Sequence, residues 1–217
     1  MALRMAPATS QDVPALASLL FDDFMEQDAW TKLCFGEMDP PDRLTYYIAG
    51  LKEDIENPEY PMVVQKMQDD ATGEAVAFTE IKDGNVPPLE RDFVEPMVKP
   101  KGYNVGPIRD NHAKMLAALK RAMGDEKPFL YLVDMTTKKS HRRRGIATTL
   151  MQWAMEMATR RQLPIYCEAS ADGHGLYKHL GWEVVESWSV DMGKYGGEGI
   201  YTEWGMRWTP PARQAEA

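Results

Sequence analysis

Phe129-Leu-Tyr-Leu-Val-Asp-Met135 is followed by Thr136-Thr-Lys-Lys-Ser-His141 and then by Arg142-Arg-Arg-Gly-Ile-Ala147. The first stretch is a nearly continuous apolar run, the pattern of a central strand buried on both faces. The last leads into Leu150, Trp153, Ala154 and Met157 at helical spacing, and that helix ends at Arg160-Arg161-Gln162 before Pro164, with cations at its negative end. A helix N-terminus offers unpaired N–H groups and the positive end of a dipole, and a glycine there lets an anion reach the backbone. Flanking arginines add charge-assisted hydrogen bonds. An isolated basic run reads first as a solvated loop or a nuclear localisation signal. Set between a buried strand and a helix, it is better placed to hold a phosphate. Neither GxxxxGK[ST] nor GxGxxG is present.

Downstream, Ile165 to Glu168 reads as a short buried strand and Gly173 to Leu180 as a helix stopped by Gly181. Strands at Glu183 to Asp191 and Ile200 to Trp208 bracket a loop with Gly193, Gly196, Gly197 and Gly199, read as a flexible rim, and Pro210 to Ala217 reads as a frayed tail. Upstream, a strand at Leu3 to Ala6 precedes a helix capped by Thr9 or Ser10 and carrying Val13, Leu16, Leu20 and Phe24. Asp22 to Pro40 reads as an acidic, aromatic linker, and a second helix runs from Pro40-Pro41 through Leu44, Tyr47, Ile48 and Leu51 until Asn57-Pro58. Met62 to Met67 and Glu74 to Lys82 flank a turn at 68–73 and form a hairpin. Asp83 to Gly106, with Pro87, Pro88, Pro96 and Pro100, reads as a surface insertion before a helix marked by Met115, Leu116, Leu119 and Met123 and closed by Gly124. The order implies one mixed α/β domain over residues 1–209, with 83–127 inserted between the third and fourth strands and 210–217 as a tail.

The chain has 217 residues, 44% hydrophobic and 27% charged, which excludes a disordered, collagenous or disulfide-stapled chain. Cys34 and Cys167 are far apart with no CxxC spacing, which speaks against zinc and for a reducing, cytoplasmic or nuclear compartment. No apolar run has the length of a membrane span, and the N-terminus lacks a signal-peptide core, so a soluble protein without a membrane partner is expected. The net charge of -8 makes a nucleic-acid partner unexpected, and no aromatic residues interleave Lys138, Lys139, Arg142, Arg143 and Arg144. An acidic protein that gathers its cations in one place sets them against one small anionic ligand.

Arg142-x-x-Gly145-x-Ala147 resembles the Q/R-x-x-G-x-G/A pyrophosphate loop of the GCN5-related N-acetyltransferases, the GNAT superfamily. One helix and one strand later, Leu176-Tyr177-Lys-His-Leu-Gly181-Trp182 resembles that family's Leu-Tyr-x-x-x-Gly-aromatic helix, and the segment from Val190 to Arg207 is similar to uncharacterised GNAT proteins of filamentous fungi. The resemblance implies the GNAT fold: a largely antiparallel sheet splayed between strands 4 and 5, with helices on both faces. It implies acetyl-CoA as acyl donor, no metal, and transfer to a primary amine by direct attack in a ternary complex. Met135, Thr136, Thr137, Arg142, Arg143, Arg144, Gly145, Ile146 and Ala147 would hold the coenzyme. Ser170 stands where many members carry a coenzyme-contacting asparagine.

Tyr177 is the implied acid for the leaving thiolate; without the resemblance it reads as a core aromatic. Asp134 and Glu80 are the candidate bases, with Glu168 a third, and each reads equally as a satisfied structural acid. His141 and His174 read as loop residues in polar surroundings. Asp22, Glu26 and Trp30 form either a wall that recognises a cationic amine or a solvated helix end. A small-molecule amine is the expected acceptor. A protein lysine or N-terminus is the alternative, a non-enzymatic module using the 138–144 run is the third reading, and the chain is expected to be a monomer or homodimer.

Overall fold

The computed structural model describes residues 2–25, 29–57, 62–82, 101–124 and 128–212, with the backbone alone at 21–25. In chain order the elements are β1 (Leu3–Pro7), α1 (Val13–Met25), α2 (Ala29–Phe35), α3 (Pro40–Glu56), β2 (Met62–Asp69), β3 (Ala75–Lys82), α4 (Val105–Met123), β4 (Leu130–Thr137), α5 (Ile146–Arg161), β5 (Ile165–Ala169), α6 (Ala171–His179), β6 (Glu183–Asp191) and β7 (Ile200–Trp208). The strands form a seven-stranded sheet in the order β1-β2-β3-β4-β5-β7-β6. Every neighbouring pair is antiparallel except β4 and β5. None of the helices among the described residues is long and apolar enough to cross a membrane.

Local chemistry places the helix ends. Asp12 accepts from both the N–H and the hydroxyl of Thr9, closing the start of α1. Pro40 and Pro41 open α3, where a missing N–H costs nothing. Gly124, at φ 56°, closes α4. Asp22 to Pro40 is not a linker throughout: Asp22 lies in α1, and Ala29–Phe35 forms α2, with Thr31 and Cys34 buried.

Two layers of helices cover the sheet. On one face α5 buries Met151, Ala154, Met157 and Ala158 against Ile81, Leu130, Leu132 and Ile165, and Leu150 against Met67, Val76 and Ala77, while α6 adds Tyr177. Each such large aliphatic side chain contributes roughly 1.5–3 kcal/mol on leaving water. On the other face α1 and α3 pack Leu16, Leu20 and Leu51 on Val64, Ala75 and Phe78, while α4 packs Leu119 and Met123 on Phe129 and Tyr166.

β4 and β5 share only two rungs, Leu130↔Ile165 and Tyr131↔Tyr166. Beyond them β4 stays paired to β3 as far as Thr137↔Ala77, and β5 to β7 as far as Ala169↔Trp204. The strands therefore diverge, and Leu132–Thr137 and Cys167–Ala169 turn backbone edges into the split. β4 is not buried on both faces. It carries a bulge, in which Ile81 pairs with Leu132 and Glu80 with Asp134, leaving Val133 as the extra residue, 38% exposed.

Candidate active site

The loop between β4 and α5 is built around two left-handed residues, Arg143 at φ 60° and Gly145 at φ 77°. A side chain at such a φ is strained, and alternating right- and left-handed residues turn successive N–H groups into one concavity suited to an anion. Arg142 is spent on geometry: its Nε donates to the Thr137 carbonyl at 3.1 Å, bracing the loop against the end of β4. Lys138 pairs with Glu74. Arg143, Arg144 and Gly145 are exposed beside the start of α5, Ile146 is buried beneath them, and Ala147 is half-buried. These residues fit a pyrophosphate.

Along the split, Met135 packs against the cores on the α5 face and stands opposite Thr79 on β3. Thr136 is buried beside it, and Thr137 is half-buried with a hydroxyl that has no partner. Across the split, Tyr177 is 6% exposed, and its ring lies 5.3 Å from Trp182 between centroids. The ring covers Gly173, where an added Cβ would come within 3.0 Å of it. Burial, reinforced by Cys167 and Asp134, holds the phenol well above its ordinary pKa, so it keeps its proton at neutral pH. Ser170 serves as N-cap of α6, its hydroxyl accepting from the Gly173 N–H.

Acids gather on the opposite face. Glu80 and Asp134 are direct partners across β3 and β4, and the Thr79 hydroxyl donates to the Asp134 carbonyl at 3.0 Å, fixing the bulge. Burial first, then Asp54 of α3, raises Asp134 to about 7. Glu80, 2% exposed, is also raised by burial and by Asp134 and Asp54, against the pull of Lys82. Its Oε1 has no hydrogen-bond partner. Glu168 accepts a hydrogen bond from the Tyr131 hydroxyl across the split. Burial, helped by Glu203, raises it to about 8 against that bond. Asp134 and Glu168 are each half-buried.

A roof closes over this face. Trp30 of α2 stacks on Tyr201 of β7, centroids 4.3 Å apart. Asn111 of α4 donates to Glu203 at 2.9 Å and accepts from the Trp188 indole at 2.8 Å, while the Tyr201 hydroxyl donates to Glu203 at 2.7 Å. Arg121 holds Glu186 through two bonds of 3.0 and 3.1 Å. Met192–Tyr195 is a 3-10 turn capped by Asp191 and tied to Asn104, so this glycine-rich rim is ordered. Phe35, Tyr46, Tyr47 and Tyr103 cluster between α2, α3 and the approach to α4.

The structure thus gathers Asp134, Glu80 and Glu168 on one face and sets Tyr177 on the other. Trp30 joins the roof. The Asp22 side chain and all of Glu26 lie outside the described residues. His174 is no polar loop residue: it sits in α6, stacked on Trp204 at 4.6 Å. Sequence reasoning passed over Tyr131, Asn111 and Glu203; the alternation Tyr201, Glu203 on β7 was the available signal. No group of three or more side chains among the described residues has the arrangement of a metal site.

The family profile described as acetyltransferase (GNAT) family matches residues 24–182. No curated protein matches the chain. Among solved structures, mosquito arylalkylamine N-acetyltransferase like 5b superposes with a TM-score of 0.67 at 12% identity, covering 96% of this chain and 100% of that one. A Corynebacterium glutamicum protein titled histone acetyltransferase HPA2 and related acetyltransferase gives 0.63 at 19% identity, covering 100% of both chains. Arabidopsis thaliana NAA60, solved with a bisubstrate analogue, gives 0.58 at 14% identity, covering 96% of this chain and 98% of that one. At such identities these likenesses speak for the fold alone. The profile match, which takes in the split, the loop before α5 and the Tyr177 helix, settles the family: the chain belongs to the GNAT acetyltransferases, and its chemistry is acetyl transfer to nitrogen.

Proposed function

We propose that the protein acetylates a primary amine of a small molecule by direct attack in a ternary complex with acetyl-CoA. The roof carries the small-molecule reading. A polypeptide acceptor needs an open groove, whereas here α2, α4 and the Met192–Tyr195 turn cover the β6–β7 side of the acid-lined face and are tied to β7, β6 and one another by Trp30, Asn111, Arg121 and Asn104. On this reading residues 1–209 form one catalytic domain in the cytoplasm, with neither nucleic acid nor membrane as partner.

The loop N–H groups from Arg143 to Ala147, with the charges of Arg143 and Arg144, hold the pyrophosphate. The backbone edges of Met135 to Thr137, left unpaired by the split, hold the pantetheine amides and keep the thioester beside Asp134. Holding both reactants in one geometry supplies much of the acceleration. Asp134 takes the proton of the acceptor ammonium, and a carboxylate near neutrality is well matched to that task. Glu80 is sealed behind it and supports it as a second acid. The N–H near Met135 donates to the developing oxyanion. As the tetrahedral oxyanion collapses and the C–S bond breaks, Tyr177 gives its proton to the departing sulfur, while the second proton of the acylated nitrogen leaves to solvent, from which the phenol is restored.

A protein or peptide acceptor remains the second reading. The deciding experiment is release of free thiol from acetyl-CoA with arylalkylamines, polyamines, amino acids, aminosugars and a lysine peptide at equal concentration. Turnover confined to small amines is expected. Preference for the peptide overturns the small-molecule reading, and failure of acetyl-CoA to raise the melting temperature overturns the coenzyme site.

A further inference from the structure

Four carboxylates stand in a row on one face of the sheet: Glu80 on β3, Asp134 on β4, Glu168 on β5 and Glu203 on β7. Their shared face follows from register. Glu80 pairs with Asp134, and Glu168 pairs with Gly205, two residues from Glu203 on the same side of β7. Tyr131 on this face reaches Glu168, and Asn111 of the overlying α4 reaches Glu203. The proposed chemistry uses Asp134, with Glu80 behind it, and leaves the β5 and β7 pair without a task.

That half of the row has open valences. Glu168 uses one oxygen on the Tyr131 hydroxyl, while its Oε1 is buried without a partner, and the buried Tyr166 hydroxyl two residues earlier also has none. Tyr166 is wholly buried, stacked on Tyr131 at 6.2 Å. It lies over β7 because residue 205 is glycine: a Cβ there would stand 2.5 Å from the Tyr166 oxygen. Glu203 accepts from Asn111 and from the Tyr201 hydroxyl, which fix its carboxylate on this face. On the strands beside these carboxylates Lys82 and Arg207 stand one rung lower, opposite Tyr131 and Tyr166, while Lys66 pairs with Asp12 and, on α4, Lys114 pairs with Asp110 and Arg121 with Glu186. A buried carboxylate oxygen and a buried hydroxyl without partners, beside a second carboxylate and two tyrosine rings, are complementary to an ammonium group.

We propose that Glu168, positioned by Tyr131 and assisted by the Tyr166 hydroxyl, binds a second ammonium of the acceptor, so that the substrate class is a diamine, acetylated at the end that lies against Asp134. This rests on the small-amine reading above and narrows it. One strand spacing of about 4.8 Å, widened by the split and offset by about one residue, puts the two carboxylates roughly 6–8 Å apart along the sheet. That is the reach of a four- or five-carbon diamine. No bond is made at Glu168: the distal ammonium donates to Oε1 and to the Tyr166 oxygen and is released unchanged with the product.

The test compares 1,4-diaminobutane with pentylamine, which has the same chain length and one charge, in thiol-release kinetics on the wild type, E168Q and Y131F. In the wild type kcat/KM for the diamine exceeds that for pentylamine about tenfold or more, the scale of a hydrogen bond between charged groups. E168Q brings the ratio towards one by raising the diamine KM while leaving the diamine kcat close to its value. Y131F lies between them. A purely structural role for the pair would lower kcat for both amines together and leave their kcat/KM ratio at the wild-type value. Equal use of both amines by the wild type, or an unchanged ratio in E168Q, overturns the second-ammonium site while leaving acetyl transfer to small amines intact. If no amine is acetylated although acetyl-CoA raises the melting temperature, both readings fall.

Discussion

If Asp134 is the base proposed above, it has to be ionised to accept a proton, and its elevated pKa sets the working range. kcat/KM should rise as pH passes through about 7 and then level off, because only the carboxylate form acts. D134N should lower kcat by about 100-fold and remove that rising limb. D54N tests the cause. Asp54 is a like charge that makes ionisation of Asp134 harder, so its neutralisation should move the limb to lower pH while leaving the plateau close to its original height. A limb that stays in place in D134N would assign it to another group, with Glu168 next in line. Tyr177 is separable from both. Y177F should slow turnover by about tenfold or more with little change in the dissociation constant of acetyl-CoA, since the ring still fills the space against Trp182.

At the scale of the element, the loop before α5 is the proposed pyrophosphate site, and its backbone and charges can be tested apart. Gly145 at φ 77° has open space around a would-be Cβ, so G145A meets no clash and costs only the backbone preference, about 1 kcal/mol by denaturant midpoint. R143E/R144E should weaken acetyl-CoA by about tenfold or more, an effect that shrinks with added salt because both side chains are exposed. This loop was the most legible part of the site because its members are consecutive in the chain. Strand and helix periods placed β6 and β7 at the residues where the structure has them. α2 was invisible because the seven residues Ala29–Phe35 complete too few turns for an apolar period to emerge. The bulge at Val133 was invisible because an extra residue in one strand is defined by the partner strand's register. The acceptor face was illegible as a unit, since Tyr131, Glu168, Glu203 and Asn111 meet only through the β4–β5–β7 topology and the lie of α4.

Over the whole molecule, the acids with an assigned task are also a strain on the fold. Asp134, Glu80 and Glu168 each have a folded-state pKa above the ordinary carboxylate value, because burial makes the anion costly. The folded protein therefore binds their protons more tightly than the unfolded chain does. Between the ordinary range and the raised values it holds more protons, and stability must fall as pH rises through that window. Asp12 runs the other way: its bond to Lys66 and its bonds to Thr9 lower its pKa despite burial, so it matters only in acid, where its protonation removes stability. The two tendencies leave a maximum in mild acid. The melting temperature of the free protein should be higher at about pH 5.5 than at about pH 8, with most of the loss between about pH 6 and 8. D134N and E168Q should each flatten the decline and melt above the wild type at about pH 8, since a neutral amide replaces a buried charge of similar shape. A melting temperature that is flat or rising over this range would show that these carboxylates are already compensated in the free protein. It would also remove the reason for Glu168 to recruit a cation, since the acceptor is argued to supply the counter-charge that the fold leaves out.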